Sequence, residues 1–330
     1  MKFFLRVVAL LILIVVAAGA WIMYRLNQPY RGFSEPVFVE FARGTSTRSI
    51  ASTLASKGVI QGEWLLLAAR GLRRGSNLQA GEYKFDKPAS PMQVLQRLVK
   101  GDIFYMELLI PEGYNMFDVA EAVGKLGTMK PETFLAAARD PSLIRDLDPK
   151  ASSLEGYLFP NKYRIYRHTT ARQLCRMMTG EFRAQWKALN PGTGVHDAVT
   201  LASMVEREAR RPEERPLVAS VFTNRLKIGM KLDCDPTTVY AALLDGRYRG
   251  TIYKSDLANT NLWNTYQHAG LPPGPIANPG IGSIRAALHP AATHYLYFVA
   301  RGDDSGGHNF SDSLVKHEAA VAGYRNALRH

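Results

Sequence analysis

The feature that most limits how this chain folds is residues 7–24, VVALLILIVVAAGAWIMY, eighteen consecutive residues without a charge. As a helix the run is about 27 Å long at about 1.5 Å per residue, close to the hydrocarbon thickness of a bilayer. Lys2 and Arg6 precede it, and Trp21 and Tyr24 close it as interfacial aromatics. The basic flank favours a cytoplasmic N-terminus, although Arg25 and Arg31 on the far side weaken the asymmetry. These residues predict a cytoplasmic segment 1–6, a single-pass anchor 7–24 through the lipid bilayer of the cell inner (plasma) membrane, a linker 25–36, and a large C-terminal part in the periplasm or outside. Ala18-Gly19-Ala20 has the small-x-small form that signal peptidase accepts, so cleavage is the alternative. Both readings send the remainder out of the cytoplasm and disfavour ATP-driven chemistry.

The charge balance narrows the partners. Lys+Arg 41 against Asp+Glu 29 leaves a net +12, which wants an anionic neighbour: a membrane surface, an acidic wall polymer or nucleic acid. No Lys/Arg run is dense enough to single out nucleic acid, and none is expected as a partner. Cys175 and Cys234 lie far apart without CxxC or Cys/His spacing, so neither a metal site nor a disulfide framework is implied. GxSxG, Walker, HExxH and GxGxxG patterns are missing, and no cofactor is required.

Downstream the chain repeats itself. Residues 37–41, VFVEF, alternate as a strand ending at Arg43-Gly44; residues 49–57 make a helix with Ile50, Ala51 and Leu54 on one face, stopped by Gly58; residues 63–73 make a second helix, and 81–85 return as a strand. This βααβ pattern recurs as a strand at 106–110, helices at 117–125 and 131–139, and a closing strand at 155–159. Gly44, Ile50, Ala51, Leu54 and Gly58 match Gly113, Val119, Ala120, Val123 and Gly127 at one offset of 69. Residues 91–101 form a helix joining the copies. A longer helix is predicted over 172–189, with Leu174, Met177, Met178 and Phe182 inward and Asn190-Pro191-Gly192 at its end, and another over 216–226.

The chemistry concentrates at residues 200–211, TLASMVEREARR. At about 100° per residue, Leu201, Met204, Val205 and Glu208 share one stripe, while Glu206 points away with Ala202 and Arg210. A carboxyl group held against Leu and Met loses hydration, so its proton affinity rises toward neutral pH. A core ion pair with an arginine such as Arg225 is the bland alternative. Further on, Asp233 and Asp235 flank Cys234, and Asp235-Pro236-Thr237 reads as an N-cap followed by proline at the first helical position. Trp263-Asn264-Thr265-Tyr266 and the stiff loop Gly270-Leu271-Pro272-Pro273-Gly274-Pro275-Ile276 suit a carbohydrate cleft: aromatic faces cover sugar faces, amides bond hydroxyls, and a rigid loop limits the ordering cost. The residues by themselves favour acid–base cleavage of a glycosidic bond, with Glu208 as the acid.

The first βααβ copy resembles a LysM module, a fold whose family binds N-acetylglucosamine-containing glycans; a repeat that merely braces the catalytic part is the alternative. More specific is the run Leu201-Ala202-Ser203-Met204-Val205-Glu206-Arg207-Glu208, followed in order by Val218-Ala219-Ser220-Val221-Phe222-Thr223-Asn224-Arg225-Leu226, Gly229-Met230-Lys231-Leu232, Asp235-Pro236-Thr237, Asn264-Thr265-Tyr266, the proline loop, Tyr295-Leu296-Tyr297-Phe298-Val299 and Gly307-His308. From Val37 onward the chain closely resembles the endolytic murein transglycosylases, the MltG or YceG-like family.

That resemblance implies an endolytic peptidoglycan lytic transglycosylase. Such an enzyme cleaves the MurNAc–GlcNAc bond within glycan strands without water, leaving a 1,6-anhydro end, and would terminate nascent strands beside the peptidoglycan synthases of elongation or division. It puts the catalytic role on Glu208, the second glutamate of the pair, and makes Glu206, Asp233, Asp235, Thr237, Tyr240, Asn264, Tyr266, Pro273 and His308 substrate-binding candidates. The chain departs from the family pattern at Asn161-Lys162 (usually Asp-Thr), Asp233-Cys234 (Gln-Thr) and Trp263 (tyrosine), which bears on subsites. The predicted fold class is α+β: a transmembrane helix, a LysM-like module with its joining helix over 37–101, a second related module over 102–165, and a mixed α/β catalytic domain over 166–330. Two alternatives stand: a muramidase hydrolase pairing Glu208 with Asp233 or Asp235, and a membrane-anchored peptidoglycan-binding scaffold for wall synthases.

Overall fold

The computed structural model describes every residue except 74, 192–193, 304 and 328–330. The chain forms two compact units, Met1–Tyr105 and Met106–His330.

The first unit runs α1 (Lys2–Asn27), β1 (Val37–Phe41), α2 (Thr47–Ser56), α3 (Glu63–Leu72), β2 (Gly81–Phe85) and α4 (Pro91–Lys100). β1 and β2 pair antiparallel, with Val37 opposite Phe85 and Phe41 opposite Gly81. Alternation turns Val39, Phe41, Tyr83 and Phe85 into one core with Ile50, Leu54, Leu65, Leu66, Leu95 and Leu98. Local chemistry sets the helix starts: Ser46 accepts the Ser49 N–H ahead of α2, and Ser90 and Gln93 form a reciprocal capping box ahead of Pro91. α1 is long and apolar enough to cross a membrane. It also runs past the expected span, so Arg25, Leu26 and Asn27 belong to the helix and not to the predicted linker; Leu26 is fully buried in the unit's core.

The second unit repeats the plan as β3 (Met106–Ile110), α5 (Met116–Lys125), α6 (Pro131–Ala138) and β4 (Asn161–Ile165), with β3 and β4 antiparallel. The matched glycines adopt matching left-handed conformations: φ is +85° at Gly44 and +80° at Gly113, and +69° at both Gly58 and Gly127. A β-carbon is disfavoured at such turns, which is why glycine recurs there. The second copy is not closed by residues 155–159, as the pattern suggested. That stretch is buried on every residue and irregular, because its polar groups are taken elsewhere. Glu155 accepts the Met116 N–H at 2.8 Å and the Asn278 amide at 2.9 Å, and the Leu158 N–H donates to Asn278 Oδ1 at 2.8 Å.

The remainder comprises α7 (Ala171–Leu189), α8 (Val195–Glu208), α9 (Arg215–Lys227), α10 (Asp235–Leu244), α11 (Lys254–Leu257), α12 (Ile281–Leu288), β5 (Tyr297–Ala300), β6 (His308–Ser311) and α13 (Leu314–Ala327). α8 is the axis. Ala198, Val199 and Ala202 face a cluster containing Tyr157 and Phe182, and Leu201, Met204 and Val205 face another containing Val218 and Phe222. α8 begins before residue 200 and stops at Glu208, where Ala209 turns extended and Pro212 soon follows. On α7, Met177 is 40% exposed and does not join the inner stripe. The turn after α7 begins at Asn190 (φ +45°), and the predicted Gly192 lies outside the described residues.

Candidate active site

Glu208 is the last residue of α8 and lines a cleft of about 390 Å³. The cleft is lined by Glu208, Arg225, Leu232, Asp233, Asp235, Tyr266, Tyr297, Phe298, Leu314 and His317. Burial raises the Glu208 carboxyl to about 7; the Cys234 thiol, donating to Oε1 at 3.2 Å, opposes the rise, while the charge of Asp235 adds to it. The helix C-terminus, carrying partial negative charge, acts in the same direction as burial. Burial and the neighbouring Glu208 push the Cys234 thiol well up, so it stays protonated and serves as the donor.

Cys234, not Asp235, is the N-cap residue of α10; Asp235 and Pro236 are its first helical residues. Displaced from capping, the Asp235 carboxylate lines the cleft and accepts the Tyr266 hydroxyl at 2.7 Å. Asp233 sits at φ +46°, a left-handed conformation that aspartate tolerates better than most residues, with Arg225 3.6 Å from its carboxylate. Arg225 does not pair with Glu208. It donates to the carbonyls of Leu296 at 2.6 Å and Leu232 at 2.9 Å, and its guanidinium lies 5.3 Å from the Tyr297 ring centre. Tyr297 stacks on His317 at 5.1 Å. His317 is held below its ordinary value by burial and by Arg225, and its Nδ1 is buried without a partner.

Of the sequence candidates, Glu208, Asp233, Asp235 and Tyr266 converge on this cleft. The six others do different work. Thr237 and Asn264 are fully buried and Tyr240 is 3% exposed, so none presents its side chain to a polymer. The Asn264 amide donates to the carbonyls of Asp256, Leu257 and Asn259, and its Oδ1 accepts the Tyr266 N–H. Thr237 bonds the Cys234 carbonyl and Thr265, while Thr265 accepts the Cys234 N–H at 3.0 Å. This inner layer holds Cys234 in place against Glu208. Tyr240 bonds the buried Glu155, whose carboxyl burial raises to about 8. Glu206 does not face solvent: Arg215 is 3.2 Å from its Oε1 and the Gly280 N–H donates to its Oε2 at 3.0 Å.

Pro273 lies near the opposite end of α8. Its carbonyl contacts His196 Nε2 at 3.1 Å, and His196 stands about 18 Å from Glu208 by helical rise. Pro272 and residues 274–276 of the proline loop are buried, with the Ile276 N–H donating to Ser203 Oγ at 3.0 Å. His308 stands behind the cleft wall, edge-on to Phe298 at 5.3 Å, with Nδ1 2.7 Å from Glu214. The sequence reading did not assign Leu314 or His317 to the site; nothing local in α13 marks them. Arg225 and Cys234 carry no site role on sequence grounds; the structure puts Arg225 in the cleft wall and the Cys234 thiol on Glu208.

Fold and site together define an α+β protein with one protonatable glutamate in an aromatic-walled, acidic cleft. The model of the YceG-like family matches residues 39–323. The endolytic murein transglycosylase of Bacillus subtilis (strain 168) is 32% identical over 309 residues, covering 87% of this chain and 84% of that protein. The protein of the same name from Streptococcus pneumoniae (strain D39) is 30% identical over 330 residues, covering 88% of this chain, which spans 59% of that longer protein. The crystal structure of the yceG-like protein lmo1499 from Listeria monocytogenes, 30% identical, aligns with a TM-score of 0.55 over 86% of this chain and 99% of that one. The chain belongs to the YceG-like family.

Proposed function

We propose that the chain is an endolytic peptidoglycan lytic transglycosylase that cuts the bond from N-acetylmuramic acid to N-acetylglucosamine inside glycan strands. The observation that carries this reading is Glu208: a carboxyl group raised to about 7 that lines an open cleft, so that a large share is protonated at neutral pH. Glu208 gives its proton to the glycosidic oxygen as the bond from that oxygen to C1 breaks. The muramyl 6-hydroxyl then bonds C1 and returns its proton to the Glu208 carboxylate. No water is consumed, the acid is regenerated, and the product ends in 1,6-anhydro-MurNAc. Asp233 and Asp235 place negative charge beside the cationic C1 of the transition state, and the Tyr297 and Phe298 rings offer faces for sugar rings.

In this reading residues 37–101 act as a LysM-like glycan holder, residues 102–165 as a related module, and residues 166–330 as the catalytic domain. The anchor holds the protein in the inner membrane with its C-terminal part on the wall side, where cleavage ends nascent strands next to the synthases. The names of the relatives and the basic net charge of +12 support a wall polymer as substrate.

Because Asp235 lines the same cleft as Glu208, a two-carboxylate hydrolase is the second reading. Mass spectrometry of muropeptides released by the full chain, with and without borohydride reduction, separates the two. Anhydro ends unchanged by borohydride, and a loss of roughly a thousandfold or more in Glu208→Gln, are expected. Reducible ends would establish hydrolysis, and products from Glu208→Gln at the wild-type rate would remove Glu208 from the mechanism.

A further inference from the structure

The helix α3, EWLLLAARGL, is apolar on both sides. Leu65, Leu66 and Ala69 point into the core of the first unit, at most 2% exposed. At about 100° per residue Leu67, Gly71, Trp64 and Ala68 centre the opposite face, with Glu63 and Arg70 along one edge and Leu72 along the other. A helix whose outer face meets water carries polar residues there. Trp64 is 43% and Leu72 59% exposed, while Leu67 and Ala68 are partly covered.

The neighbour of that face is α1. The Trp64 ring stacks on Trp21 at 5.8 Å with planes 9° apart, so the two indoles share one depth. The Arg25 guanidinium lies 5.7 Å from the Trp21 ring centre and bonds Gln61, just before α3. With Leu26 buried in the same core, the apolar helix is built into the unit. Trp21 marks the outer end of the uncharged run, the level where indoles settle in a bilayer. Arg73 is exposed and Arg70 half-buried along the same helix, placing cations beside an apolar, indole-bearing stripe.

We propose that α3 is a membrane-contact surface: the first unit lies on the leaflet that α1 leaves, with Trp64 and Leu72 in the headgroup layer and the flanking arginines on anionic phospholipid. The proposal rests on α1 being a membrane anchor, and the occupant follows from continuity with that anchor.

The test uses the full chain in vesicles of phosphatidylcholine and phosphatidylglycerol carrying brominated lipids. One variant keeps Trp64 as its sole tryptophan (Trp21→Phe, Trp186→Phe, Trp263→Phe). A second adds Trp64→Phe and Val15→Trp to report on the span. Circular dichroism checks that both fold. Trp64 should lose roughly half its emission to shallow bromines and less to deep ones, and the probe introduced at position 15 the reverse. Quenching of the position-15 probe together with a Trp64 that stays open to aqueous iodide would overturn the proposal and leave the anchor standing. Quenching of neither would overturn both. A Trp64 shielded from iodide without lipid quenching, and only at high protein density, would assign the face to a second copy of the chain and overturn the proposal.

Discussion

A glutamate ordinarily loses its proton near pH 4.5, and Glu208 holds it to about 7 because it is desolvated, stands at a helix C-terminus and has Asp235 nearby. The Cys234 thiol is the counterweight, favouring the ionised form. In the proposed mechanism the acid is needed protonated, so kcat/KM for glycan cleavage should fall as pH rises through about 7. Removing the donor with Cys234→Ala should move this alkaline limb upward by roughly half a unit to one unit. Cys234→Ser, which keeps a donor, should hold it near the wild-type position. Full pH profiles of the three proteins check this, and an unmoved limb in Cys234→Ala would show that the thiol does not tune the acid.

At the scale of elements, α8 is held by packing on both faces and by polar ties at its ends. Gly156 (φ +86°) passes so close to α8 and the proline loop that a β-carbon would overlap Pro275 and Val199. Gly156→Ala should therefore cost about 2–4 kcal/mol, read by urea unfolding. The Glu206–Arg215 pair is similarly structural, with side chains 6% and 15% exposed and Glu112 3.1 Å from the same guanidinium nitrogen. Glu206→Ala should lower stability by about 3 kcal/mol, since it strips a buried cation of a partner. KM of the folded fraction should stay unchanged. A raised KM with unaltered stability would return Glu206 to the substrate.

For the whole molecule, two carboxyls raised by desolvation bear on how stability depends on pH. Glu155 and Glu208 are raised in the folded state to about 8 and about 7, above the ordinary 4.5. A raised carboxyl contributes stability fully below its unfolded value and loses it as pH rises through the folded one. The thermal midpoint should accordingly decline between about pH 5 and pH 8, and Glu155→Gln should flatten that decline. Calorimetry at several pH values decides; a midpoint rising over this interval would contradict the assignment of protonated, desolvated carboxyls.

The sequence by itself determined what rests on short-range periodicity and turn chemistry. The strands β1, β2 and β3 begin and end where alternation and turn residues predicted, and most helices lie within two residues of their caps. The repeated glycines announced their left-handed turns because glycine, lacking a β-carbon, takes that conformation most readily. The stripe that selected Glu208 is a property of one helix, legible without neighbours. What only the tertiary structure decided is which polar residues face the cleft and which hold it from behind. Asn264, Thr237 and Tyr240 look in sequence like glycan-binding groups, but their partners are backbone carbonyls and side chains brought from elsewhere in the chain. His317 joins the cleft from α13, far along the chain from Glu208. Burial and hydrogen-bond partnership depend on contacts distant in sequence, and no local pattern records them.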